Sequence, residues 1–131
     1  MMLSQDDVQE IEQAFAFRYP EAFVTRLAEV ARVMKSTCFQ EHFSGARLLS
    51  SVTQIRAVRD HLPPNLLPFI VDDDDRCQPD IYAFDLASQG PEFRIVVWCD
   101  HAVVMEWKRF SSFWRWVIDF IGGMPPAEIL L

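Results

Sequence analysis

The sequence predicts an α+β fold. It reads as a single domain whose central, antiparallel-rich sheet of about four to five strands has N-terminal helices and a C-terminal helix packed against it. Three observations predict this. The first third repeats its apolar residues at helical spacing, residues 67–107 hold short alternating apolar runs, and helical spacing returns after Ser111. The length of 131 residues suits one domain. We take 1–131 as that domain, with a core at 8–120 and a tail at 122–131.

Ser4 followed by Asp7 resembles a capping box, and Val8, Ile11 and Phe15 continue the first helix. Tyr19-Pro20 ends it, because the residue before proline disfavours the α region. Pro20 then opens a second helix with Phe23, Leu27, Val30, Ala31 and Met34 as its stripe. Phe39 to Gly45 reads as an irregular linker, and Ala46–Leu49 as a short strand. Ser50-Ser51 caps a third helix carrying Val52, Ile55 and Val58, which ends before Pro63-Pro64.

Strands are expected at Leu67–Val71, Ile81–Leu86, Arg94–Trp98 and Ala102–Trp107, the last two joined by a hairpin at Asp100-His101. Ser111-Ser112 caps a final helix with Phe113, Trp116, Val117 and Phe120 on one face, and Gly122-Gly123 terminates it. The apolar tail that follows, through Pro125-Pro126 to Leu131, is expected to pack on the body or on another subunit.

Composition removes several classes of function. With 12 Lys+Arg against 19 Asp+Glu, the net charge of −7 argues against direct binding to nucleic-acid phosphates. No apolar run approaches the ~20 residues that span a bilayer, and the acidic N-terminus is unlike a signal peptide. A cytoplasmic location is expected. Cys38, Cys77 and Cys99 form no C-x-x-C pair, so thiols are expected rather than a disulfide framework. His42, His61 and His101 lack ligand spacing, and neither a metal nor another cofactor is expected.

The order of segments carries a family resemblance. Glu12 precedes the aromatic-Pro step Tyr19-Pro20, and Leu48-Leu49-Ser50 forms a short strand. Leu66 to Val71 enters the sheet, followed by the Tyr82–Leu86 strand, the Ile-Val-Val-Trp strand and the Ser112-Phe113 helix. Across residues 8–120 this resembles the SUKH superfamily, the Smi–Knr type of small α+β domains. Met34–Phe39 lacks the Asn-Gly or Gly-Gly that the family often has after the second helix, and Arg76–Asp80 replaces a glycine-rich turn. Many bacterial members are immunity proteins that neutralise toxins. The resemblance therefore implies a non-catalytic module that occludes a cognate toxin, or else a scaffold that recruits an endogenous partner.

The candidate partner-binding residues are Asp72, Asp73, Asp74, Asp75 and Asp80, together with Trp114. Adjacent carboxylates repel one another unless cations approach, so the run suits the basic cleft of a nuclease-like toxin. It also reads as a solvated loop, and it lacks the Asp-x-Asp-x-Asp-Gly spacing of a calcium loop. Trp114 beside Arg115, if exposed, has the chemistry of an interface anchor; otherwise it covers the sheet edge or the tail. A monomer or weak dimer is expected.

Two groups of residues invite an enzymatic reading. Cys99-Asp100-His101 invites a nucleophile, but residues two apart on a strand or turn need not meet, and a packed thiol is the simpler reading. Asp85 with Glu106 invites an acid pair for a small hydrolase, against a structural Asp85 capping a strand end. With only 4 Gly, the chain has no phosphate-cradling loop or nucleophile elbow.

Overall fold

The computed structural model describes residues 3–43, 45–73 and 78–120. In chain order it has α1 (Gln5–Phe15), α2 (Glu21–Val24), α3 (Leu27–Lys35), α4 (Thr37–His42), β1 (Ala46–Leu48) and α5 (Val52–Arg59). The chain continues through β2 (Leu66–Asp72), β3 (Asp80–Asp85), β4 (Arg94–Cys99), β5 (Ala102–Trp107) and α6 (Phe110–Phe120). The five strands form one antiparallel sheet in the order β1-β2-β3-β4-β5. The fold is α+β, with helices around a single sheet.

Local chemistry sets the helix starts. The Ser4 hydroxyl accepts from the Asp7 N–H at 3.1 Å, and the Asp7 carboxylate accepts from the Ser4 N–H at 2.9 Å, completing the capping box. Ala16 ends α1 in the left-handed region at φ 54°. Beyond it, the Tyr19 N–H donates to Glu12 at 2.8 Å, so the acidic residue of α1 holds the aromatic-Pro step in place. Ser51 caps α5, accepting from the Gln54 N–H at 3.1 Å.

Several expectations need correction. The helix expected to run on from Pro20 divides into α2 and α3. The Thr25 hydroxyl donates to the Glu21 carbonyl at 2.9 Å, and Arg26 leaves the helical region at φ −108°, ψ 14°. The linker expected from Phe39 is instead largely α4. Ser36 caps it, accepting from the Phe39 N–H at 3.2 Å, and Phe39 stacks on Phe43 one turn later at 4.7 Å. The last helix begins at Phe110, so Ser111 and Ser112 lie in its first turn. Its N-terminal amide at Ser111 is met by Glu92 at 2.7 Å, a carboxylate where the helix dipole favours one. The expected terminator Gly122-Gly123 and the tail at 122–131 lie outside the described residues.

One face of the sheet holds the main core. Phe69 and Phe84 stack at 4.3 Å, and Phe23 of α2 meets both, as well as Phe110 of α6, at 5.3–6.0 Å. Alternation sends Leu66, Ala83 and Val96 to the other face, where Leu62 and Trp98 pack against them. β5 is an edge strand, and Val103, Val104 and Met105 are exposed along it. A bulge near Val104 interrupts its pairing with β4, and bulges of this kind twist an edge away from further pairing.

Candidate partner-binding cleft

On the face opposite the aromatic core, one row of side chains crosses the sheet. Register places Arg47 opposite Val71, Val71 opposite Ile81, Ile81 opposite Trp98, and Trp98 opposite Val103. Arg47, Val71, Ile81 and Trp98 of this row floor a cleft of about 430 Å³, with Ala57 and Val58 of α5, and His61 just after it, on one side. Asp73, Gln78 and Pro79 border it near the β2–β3 end, and Asp100 and His101 border it at the β4–β5 turn. Its size falls within the range of ligand-binding clefts, ~300–1,000 Å³.

The β4–β5 turn is built for this position. Only Asp100 and His101 separate the two strands, and both have positive φ, 50° and 67°, as a two-residue primed turn requires. Asp tolerates that region better than most residues because its short polar side chain bonds locally. Asp100 and Arg47 are both exposed, and neither side chain has a hydrogen bond or ion pair to another described residue.

The acidic run is divided by strand alternation. Asp72 faces Asp80 directly across the β2–β3 ladder, on the side of the sheet that carries Tyr82. Burial raises the pKa of the Tyr82 phenol above its ordinary value, and the charges of Asp80 and Asp72 raise it further. Asp73 follows on the cleft side, its N–H donating to the Gly45 carbonyl at 3.2 Å. Asp74 and Asp75 lie outside the described residues. Asp72, Asp73 and Asp80 therefore sit at one end of the sheet, with Asp100 across the cleft.

Trp114 does not belong to this surface. It is buried at 5% exposure, stacks on Phe110 with ring centroids 6.3 Å apart, and donates its indole N–H to Glu29 at 2.8 Å. The exposed-anchor reading of Trp114 is thus corrected. The buried stripe of α6 is Phe110, Phe113, Trp114 and Val117, an i, i+3, i+4, i+7 pattern, which leaves Trp116 half-buried and Phe120 49% exposed.

Of the residues in the enzymatic readings, Asp85, Glu106 and Cys99 have structural partners. At the far end of β3, Asp85 is 5% exposed and accepts from Asn65 at 2.8 Å and from the Ala87 N–H at 3.0 Å. Arg94 donates to it through Nε at 3.1 Å and Nη2 at 3.0 Å, and Nη1 of the same guanidinium bonds Glu106. The guanidinium thus stands between the two carboxylates of the supposed acid pair. Burial pushes the Asp85 carboxyl up, but Asn65, Arg94 and the Ala87 amide outweigh it and hold it below the usual range. The Cys99 thiol lies 3.8 Å from the Gln78 carbonyl, to which it donates.

Among the described residues, no group of three or more His, Cys, Asp or Glu could hold a metal ion, and no helix is long and apolar enough to cross a membrane. Sequence reasoning missed Arg47, His61 and Trp98 as cleft residues. The available signal was the alternation in Arg94–Trp98, which places Arg94, Val96 and Trp98 on one face. No family model matches the chain, and neither a curated protein nor a solved structure matches it.

Proposed function

We propose that this domain is a non-catalytic protein-binding module, an immunity protein of the cytoplasm that neutralises a basic toxin by occluding it. One observation carries the reading. Asp72 and Asp80 oppose each other in the ladder, with Asp73 beside them and Asp100 across the adjoining cleft. Like charges directly opposite in a sheet are destabilising. Asp73 and Asp100 border the groove while Asp72 and Asp80 lie at the same end of the sheet on its other face, and carboxylates concentrated there draw cationic groups and speed association with a basic partner. The toxin context rests on the SUKH resemblance of the segment order.

Affinity capture from the source cell, washed at rising ionic strength, tests this. A co-purifying basic protein, whose toxicity the domain abolishes, is the expected result. Replacing Asp72–Asp75 and Asp80 with Asn should weaken capture roughly tenfold at low salt and flatten its salt dependence. Capture that is unchanged by salt and by these substitutions overturns the charge-led mechanism.

A further inference from the structure

We infer that the cleft receives an arginine side chain presented by the partner, with the guanidinium lying on the Trp98 indole beside the Asp100 carboxylate. The inference rests on reading the domain as a protein-binding module, and it names the chemistry the module recognises. Three features of the cleft lead to it.

The first is shape. Val71, Ile81 and Trp98 form a continuous apolar floor, and register holds them side by side on adjacent strands. Strand spacing makes that floor roughly 10 Å long, enough for the three methylenes and planar head of an arginine. The second is the half-buried Trp98, the one tryptophan among the described residues lining the groove, with Asp100 and His101 at the adjoining turn. A guanidinium stacks on such a surface through both cation–π attraction and planarity.

The third is charge. Asp100 stands at the Trp98 end, where its carboxylate has no hydrogen-bonded partner among the described residues and offers the two oxygens that a guanidinium fork matches. At the opposite end Arg47 stands three strands away, about 14 Å by strand spacing, and it repels a cation from that side. The cleft is therefore polarised, and the cationic head belongs at Trp98.

A free amino-acid derivative tests this without the partner in hand. Nα-acetyl-arginine methylamide is titrated into the full-length protein, and the Trp98 indole signal is followed by ¹⁵N NMR, assigned with Trp98→Phe. The expected result is a saturable shift at millimolar concentration, reduced about fivefold or more when the uncharged citrulline derivative replaces arginine. Asp100→Asn should weaken binding about fivefold, and Arg47→Gln should strengthen it about twofold. Asn is at ease at positive φ, so the Asp100 variant keeps its turn.

A Trp98 signal that stays fixed to about 50 mM, or that responds equally to citrulline, overturns the inference. A captured protein partner combined with a fixed Trp98 signal sinks the arginine cleft alone. A responsive Trp98 with no captured partner counts against the binding-module reading alone.

Discussion

The indole N–H of Trp114 donates to the Glu29 carboxylate at 2.8 Å, tying α6 to α3 across 85 residues of sequence. Trp114 is buried at 5% exposure and Glu29 is half-buried. A tryptophan held this way is a structural fastener, and its loss acts on stability before it acts on binding. Trp114→Phe keeps a ring against Phe110 but strands the Glu29 carboxylate. It should lower unfolding free energy by about 1–3 kcal/mol in urea titration. Partner affinity of the folded fraction should stay unchanged, and a selective loss of affinity at full stability would restore Trp114 to the interface.

Asp85 should dominate the acid limb of stability. Its folded pKa is depressed, so its contribution is fully present above the unfolded carboxylate value of about 3.9 and is lost as pH falls through the lower folded value. Thermal denaturation followed from pH 6 downward should therefore steepen below about pH 4. Asp85→Asn should flatten that limb and cost roughly 2–4 kcal/mol at neutral pH, because it leaves Arg94 without its bidentate partner.

Tyr19 carries a cost inside the core. It is 5% exposed, and its hydroxyl has no hydrogen-bond partner among the described residues, although its ring stacks on Phe23 at 5.0 Å. Tyr19→Phe keeps the stack and should stabilise the fold by about 1 kcal/mol in chemical denaturation. The substitution should also widen the alkaline range. Burial first, and then the Glu12 charge, raises the phenol pKa, so stability is full below the unfolded value of about 10 and declines as pH rises above it. Equal alkaline midpoints for the two proteins would contradict this.

Ala16 closes α1 in the left-handed region at φ 54°, a conformation that costs an L-residue about 1 kcal/mol and glycine almost nothing. Its N–H and that of Phe17 both reach the Glu12 carbonyl, so the cap geometry is already complete. Ala16→Gly should therefore raise the melting temperature by several degrees, read by circular dichroism. A decrease would mean that the entropy gained by the unfolded chain outweighs the relieved strain.

Short-range chemistry was legible in the sequence, and long-range pairing was not. Ser4 with Asp7, Ser51 before Val52, and Asp100-His101 between two apolar runs each specify a local geometry from side chains within a few residues. The α4 helix escaped notice because its signal is a lone Ser36 cap ahead of two phenylalanines. The rotation of α6 was ambiguous because Trp114 and Trp116 are equally apolar; what separates them is Glu29, far away in the chain. The cleft needs the register of four strands at once, and alternation within one strand cannot supply it.

The sequential order of the sheet bears on how the chain is made. Each strand pairs with its neighbour in sequence, so the sheet assembles by successive local closures as the polypeptide lengthens. The aromatic face is finished by Phe110 and Phe113, which arrive in the last described element, α6. A chain whose α6 has not yet docked thus holds its sheet with Phe69 and Phe84 short of one wall. Such an intermediate presents apolar surface to chaperones and proteases until the final helix emerges and docks.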